Sequence, residues 1–549
     1  MQPPIEKLDA SMEELLGLVE QARPVLPADG YQKLKSGIQT LGYVTELLDR
    51  QEATLASLRK LLCPASTEKT AKVLEQAGLS PGEKTGASSK DRETTAKPDS
   101  SAKEASLARK DPAPGHGRNG ADAYEGAEKV VVPHAFLKKG DACPLPCDGK
   151  LYPLLEPKVL LRIHGQAPIA ATQYQMERLR CHSCGAIFTA AAPPGVGEKK
   201  YDETAVCLIA LLRYGNGFPW NRLETLEANL GIPLPSGTQC DLLVAAAVVL
   251  ACILQELIRQ AAQGNLLHND DTRMRVLQLE RDRDISAKRT GVFTSGIVSI
   301  APGYLVALYF TGCKHAGENL AKVLKQRAPG LDPPIQMCDA LSRNLPKSFQ
   351  TILANCNAHG RRQFIKPIEN FPEECQFVLE SFRQIYHYDD QAEERKLSAE
   401  ERLRFHQEHS RPVMEKLHAW LEAQFEEKKV EPNSGLGKAI TYLLNHWEPL
   451  TLFLRKAGAP LDNNIVERAL KQAIRHRKNS LFYKTRNGAA MGDLFMSLIH
   501  TCELNRVNPF KYLTELLRHA EELNLNPSAW MPWNYHQNLT QAAARAASG

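Results

Sequence analysis

The spacing of hydrophobic positions along this 549-residue chain changes period several times. Near the start, Leu34, Leu41, Leu48, Leu55 and Leu62 recur every seven residues inside a stretch, 11–62, that reads as helix. The complementary positions are mixed: Ile38 is apolar, while Thr45, Glu52 and Arg59 are not. Such a heptad fits either a self-associating coiled coil or an amphipathic helix packed on its own chain. From Ser80 to Ala123 there is no aromatic residue and no Ile or Val. A segment so poor in apolar surface cannot offset its ordering entropy, so it reads as a disordered linker. It ends in GHGRNG, a small basic element suited to DNA phosphate or simply to solvent.

Residues 201–262 carry a helical period. In GFPWNRLETLEANLGIPLPSGTQCDLL one helix breaks between Gly231 and Pro235, and a second begins with Ser236 as the expected cap. This predicts a helix-turn-helix-like pair, either DNA-contacting or structural. From about 264 the period shortens, and LLHNDD, TRMRVLQLE, GVFTSGIVSI, YLVALYF and PIQMCD read as strands. Beyond Asp339 the period is helical again, with 370–432 rich in Glu, Gln, Arg and Leu. Strands followed by helices predict an α+β multidomain protein with a helical insertion.

Composition narrows the class. The longest apolar run, LLVAAAVVLACIL from Leu242, has 13 residues, too short to span a bilayer. The first residues lack the basic-then-apolar order of a secretion signal. A cytoplasmic protein without membrane association is therefore expected. The 13 cysteines, an odd number mostly scattered, suit reduced thiols. Net charge is only +5, but between Arg455 and Arg486 nine Lys and Arg face just Asp462 and Glu467. That local stripe predicts a polyanionic partner.

Cys143 and Cys147 form one pair, Cys181 and Cys184 another, with 33 residues between the pairs. Four thiolates so spaced predict a tetrahedral structural Zn²⁺, with His164 and His182 as nearby bystanders.

Three acids carry the candidate chemistry. Asp270 in NDDT and Asp339 in QMCDA end strand-like runs, and Glu467 in DNNIVERALKQAIRHRKN lies on the basic helix. Singly, each has a plain reading: a strand end, a turn start, and a capping box running from Asn464 to Glu467. Together they suit a two-metal phosphoryl-transfer site, in which a few carboxylates hold two divalent cations. Glu467, Lys471, Arg475 and Lys478 fall near one helical face, a carboxylate among phosphate-binding cations.

These motifs resemble the DDE transposases of the insertion-sequence-66 family. The resemblance runs through KLLCPASTEK, GHGRNGADAY, CPLPC, CHSC, NDDT, CNAHGRRQF, DNNIVERALKQAIRHRKNSLF, NPFKYL and PWNY. It implies an RNase H-like core in which Asp270, Asp339 and Glu467 bind two Mg²⁺, with Mn²⁺ as a substitute. It implies double-stranded DNA, transposon ends and target, as partner, together with self-assembly and possible helper proteins. His359, Arg361 and Arg362 would grip DNA backbone, as would Lys471, Arg475, Arg477 and Lys478.

Two departures bear on the site. This chain has Asp270-Asp271-Thr272 where the family usually shows Asp-Glu-Thr, which makes Asp271 a rival ligand, and Ala340 stands where glycine is expected. The 127 residues between Asp339 and Glu467 are too many for one loop. The expected partition is therefore an N-terminal helix over 1–65, a linker over 66–128, a zinc module over 129–195 and a helical pair over 196–262. The RNase H-like core follows in two parts, 263–368 and 459–515, around an insertion at 369–458, with a C-terminal element over 516–549. The resemblance leaves open a DNA-binding regulator with an inactive core, or a nuclease that cuts without joining.

Overall fold

The computed structural model describes residues 168–180, 187–195, 199–282, 289 and 291–548, with short pieces at 19–21, 30–32, 34–35, 139–141 and 150. The heptad beyond Leu34, the linker, and Cys143, Cys147, Cys181 and Cys184 lie outside the described residues. The chain divides into two compact units, one comprising 84–353 with 463–549 and the other 354–462 with 1–83.

The first unit opens with a short antiparallel hairpin, β1 (Arg178–Arg180) and β2 (Ile187–Thr189). Helix α1 (Glu203–Ala210) starts where the Asp202 carboxylate accepts the Ala205 amide at 2.9 Å. The expected helical pair follows as α2 (Trp220–Asn229) and α3 (Ser236–Ala261). Its cap differs from expectation. Pro235, which has no side-chain acceptor, occupies the cap position, and Glu224 of α2 takes the Ser236 amide at 3.2 Å instead.

Leu243, Ala246, Leu250, Ile253, Leu257 and Ala261 recur at helical steps and form the buried stripe of α3. By length and composition α3 alone among the described residues could cross a membrane, since its best 18-residue window has mean hydropathy 2.2. The 13-residue run therefore understates this helix, because isolated polar residues do not end it. Its buried stripe packs on the sheet.

The sheet has the order β5-β4-β3-β6-β7. Its strands are β3 (Leu266–Arg273), β4 (Phe293–Ala301), β5 (Tyr304–Gly312), β6 (Ile335–Cys338) and β7 (Ile352–Asn355). β3 runs antiparallel to β4 and parallel to β6. TRMRVLQLE is not a strand of its own. Thr272 and Arg273 extend β3, whereas Leu277–Arg281 turns helical after Val276 bridges to Tyr483. β7, only four residues long, carries too little pattern to be anticipated. Helix α4 (Ala316–Leu324) packs on β3 and β4.

After the last two residues of β7, the second unit carries the helices α5 (Asn357–Ile365), α6 (Pro372–Glu394), α7 (Ala399–Glu426) and α8 (Gly435–Asn445). Ser398 and Glu401 make a reciprocal capping box at the start of α7. A Cβ at Gly360 would come within 2.8 Å of Leu443, so glycine lets α5 and α8 meet closely. Asn357 joins the ends of the segment by donating to the Leu450 and Leu461 carbonyls at 3.0 and 3.1 Å.

The first unit resumes with α9 (Asn464–Ser480), which packs on β3 and β4, and α10 (Arg486–Leu504), which runs along β5. β5 is an edge strand with backbone groups to satisfy. Asp493, Ser497 and Thr501 on α10 and Asn505 at its C-cap, four residues apart, accept from the amides of Thr311, Tyr309, Ala307 and Leu305 at 2.6–3.1 Å. Four helical residues rise about 6 Å and two strand residues about 6.6 Å, so the two periods stay in step.

Candidate active site

Asp270 and Asp339 are brought level by the sheet. β3 and β6 pair in parallel with Leu266 opposite Ile335 and His268 opposite Met337. The same 69-residue offset carries Asp270 to Asp339, just past the end of β6. The chain then turns sharply. Asp339 Oδ1 accepts the Leu341 amide at 3.2 Å and also the Asn344 side-chain amide. Alanine at 340 is tolerated because the aspartate's own side chain closes this turn.

Glu467 reaches the same place from α9. Its neighbours Val466 and Leu470 are buried against the sheet. The residue of β4 opposite Asp270 is Gly296, where a Cβ would stand 3.0 Å from Leu470 and 3.2 Å from Val466. Glycine thus lets the helix lie close above Asp270. Beside it, Tyr309 donates its hydroxyl to the Ala469 carbonyl at 2.8 Å. The start of α9 is pinned too: Asn463 binds His268 Nδ1 at 3.0 Å and donates to the Asn269 carbonyl at 3.2 Å. Burial holds His268 down to about 4, so the ring is neutral at ordinary pH. Asn463 is the cap residue, so Glu467 falls one position beyond a capping box, and the box expected from Asn464 does not form.

The electrostatics record the convergence. Burial first, then the charges of Asp339, Asp271 and Glu467, push the Asp270 carboxyl up to about 7, against a partly offsetting bond from the Asp271 amide. A carboxyl so placed holds its proton until a cation offsets the neighbouring charges. The donors are hard carboxylate oxygens, the set that suits Mg²⁺ or Mn²⁺.

Asp271 faces the other way. Its carboxylate, 1% exposed, is paired with His315 Nδ1 at 2.9 Å and with Arg343 at 3.4 Å. Ser295, opposite Asp271 on β4, bonds Asn319 of α4 at 2.9 Å. Alternation along β3 therefore sends Asp270 toward α9 and Asp271 toward α4.

The basic residues divide by surroundings. Lys471, Arg475 and Lys478 are exposed on α9, and Arg477 is half-buried. Arg475 donates to the Gly215 carbonyl at 2.9 Å, and Arg477 donates to Thr272 Oγ1 at 3.1 Å and to the Arg273 carbonyl. His359, Arg361 and Arg362 lie on α5 in the other unit. There Arg361 is 7% exposed, and Arg362 meets His359 Nε2 at 3.4 Å.

Sequence reading missed Arg468. It is exposed, and steps of 3, 4 and 3 residues put it in one stripe with Lys471, Arg475 and Lys478, the face on which Glu467 had been expected. It also missed His268, Gly296, Asn344 and Asn463. Only the helical phase of α9 could have revealed Arg468, because the others act through contacts distant in sequence.

An α+β unit thus gathers three acids, one inside β3 and not at its end as expected, one just past β6, and one in the first turn of α9. The sequence profile described as Transposase IS66 family matches residues 199–491, more than half of the chain, and the chain belongs to that family. Three Sinorhizobium fredii proteins are similar to it. Uncharacterized protein y4hP is 25% identical over 65% of this chain and 67% of its own length. Uncharacterized protein y4jD is 27% identical over 67% of this chain and 73% of its own length. Uncharacterized protein y4qI is 31% identical over 36% of each.

Proposed function

We propose that this transposase binds the ends of its insertion sequence, cuts a DNA strand there and joins the new 3′ end to target DNA. The observation that carries this reading is the convergence of Asp270, Asp339 and Glu467, with the Asp270 carboxyl pushed up to about 7. These three residues would hold two Mg²⁺, or Mn²⁺. When bound, such cations activate the attacking and leaving oxygens of a phosphodiester. The chain's own part is to hold the acids in place through the β3–β6 register, Gly296 and the Asn463–His268 bond, and to bind the polyanion.

Arg468, Lys471, Arg475 and Lys478 would take phosphates along the exposed face of α9. Arg477, engaged with β3, would steady that helix while offering its remaining donors to DNA. His359, Arg361 and Arg362, on α5 of the other unit, would grip DNA backbone in their own right.

The strand order β5-β4-β3-β6-β7 supports an RNase H-like core built from 263–368 and 459–515, with 369–458 as an insertion. The β1–β2 hairpin brackets Cys181 and Cys184, which supports a zinc module over 129–195. The N-terminal helix, 1–65, would assemble protomers, and α2 with α3 would help recognise the ends.

The test incubates purified protein with duplex DNA carrying the element's terminal sequence and a target plasmid in Mg²⁺. Strand cuts at the terminus and covalent joining to the target are expected. Binding without cutting in either Mg²⁺ or Mn²⁺ would replace this reading with a DNA-binding regulator. Cutting without joining would replace it with a nuclease.

A further inference from the structure

A layer of buried amides lies behind the carboxylates. Asn269 and Gln336, on adjacent strands, both donate to the Asn344 carbonyl at 2.8 Å. Gln336 also donates to Asn269 Oδ1 at 2.8 Å and accepts from Thr351 Oγ1 at 2.8 Å. Asn269, Gln336 and Asn344 are each 0% exposed. From this platform the Asn344 side chain reaches back and donates Nδ2 to Asp339 Oδ1, the oxygen that also accepts the Leu341 amide.

Stability alone does not explain the residue. Asn344 Oδ1 is buried without a hydrogen-bond partner, a desolvation cost that an apolar residue would avoid. Turning the amide over would set oxygen against carboxylate oxygen, so the donor must face Asp339. The loop is also held from behind. A Cβ at Gly317 of α4 would stand 2.4 Å from the Leu345 carbonyl oxygen and 2.7 Å from the Asn344 backbone. Glycine there lets the loop sit where its amide meets Asp339.

We propose that Asn344 is a positioning residue for Asp339. Its amide fixes the rotation of that carboxylate so that Asp339 and Asp270 present a preformed cation site. This rests on the reading of Asp270, Asp339 and Glu467 as cation ligands. Hydrogen-bond partners behind metal ligands typically contribute roughly 10- to 100-fold in metal affinity.

The experiment measures Mn²⁺ binding to the full chain by calorimetry, without DNA, for the parent, Asn344→Leu, Asn344→Ala and Asp270→Asn. Leucine keeps the volume, and alanine covers the case in which leucine does not fit. Circular dichroism and metal-free DNA binding check folding. Both Asn344 variants are expected to fold and to bind Mn²⁺ at least about tenfold more weakly. Loss of Mn²⁺ binding in Asp270→Asn with parental affinity in the folded Asn344 variants would overturn the positioning role alone. Parental affinity in Asp270→Asn as well would overturn both the role and the cation site beneath it. If neither Asn344 variant folds, Asn344 is a structural residue and the positioning role is overturned.

Discussion

Asp270 and Asp271 are consecutive residues of one strand, yet the two faces of β3 treat them in opposite ways. On the α4 face, Asp271 meets His315 and Arg343 at 2.9 and 3.4 Å, so its charge is answered within the protein. On the α9 face, Asp270 meets Asp339 and Glu467, and burial among these charges pushes it up to about 7. The opposing residues on β4 follow the same division: Ser295 is tied to Asn319 of α4, while Gly296 is bare so that α9 can approach. One face is built for stability, and the other gives up stability to gather like charges.

Substituting the two aspartates should separate these roles most strongly. Asp270→Asn is expected to abolish strand cleavage while leaving the fold intact, and above pH 7 it should raise the melting temperature. The sign follows from proton counting. Between about 4 and 7 the folded chain keeps a proton at Asp270 that the unfolded chain, titrating near 3.8, has released. Stability therefore falls as pH rises through that window, and asparagine removes the loss. Asp271→Asn should do the reverse, costing about 1–3 kcal/mol in chemical denaturation while retaining cleavage. A stable, inactive Asp271→Asn protein would exchange the two assignments.

The cation should act on one face only. Mg²⁺ competes with the proton on Asp270, so the rise in melting temperature on adding Mg²⁺ should be larger at pH 8 than at pH 6. A Mg²⁺ effect independent of pH would detach the ion from this carboxylate.

Gly296→Ala and Ser295→Ala sharpen the contrast at adjacent positions. The added methyl at 296 meets the Leu470 and Val466 side chains at 3.0–3.2 Å, so the seat of α9 must give by a few tenths of an ångström and cleavage should fall by more than the change in stability accounts for. Ser295→Ala removes one buried hydrogen bond and should cost about 1 kcal/mol with cleavage kept. Equal loss of cleavage in both would mean that sheet integrity, and not the seat of α9, controls the site.

Much of this was legible in the sequence, for physical reasons. The strand period fixed where Asp270 and Asp271 diverge, and the basic run around Glu467 announced a helix though not its phase. The order of runs along the chain anticipated β3, β4, β5 and β6. The cap at Pro235 and the true start of α9 were not legible, because each depends on a group outside its own helix. Glu224 caps α3 from another helix, and His268 engages Asn463 across 195 residues. The stripe on α10 that closes β5 was hidden because Asp493, Ser497, Thr501 and Asn505 read as ordinary polar residues until an edge strand stands beside them.

The smallest expected effect concerns the exposed face of α9. Replacing Lys471 and Lys478 by alanine should flatten the slope of log affinity against log salt by up to about 2. Arg477→Ala should change that slope less, since part of its guanidinium is engaged with Thr272 and Arg273. The reverse order would place DNA along β3 and away from the outer stripe.

The central claim is that Asp270, Asp339 and Glu467 act as one cation-dependent site. The most direct test is strand cleavage of end-bearing DNA in Mg²⁺ by Glu467→Gln, a substitution that keeps shape and hydrogen bonding but removes the charge. The account predicts a folded protein that binds the DNA without metal as the parent does and does not cut it. Cleavage at the parental rate would contradict the account.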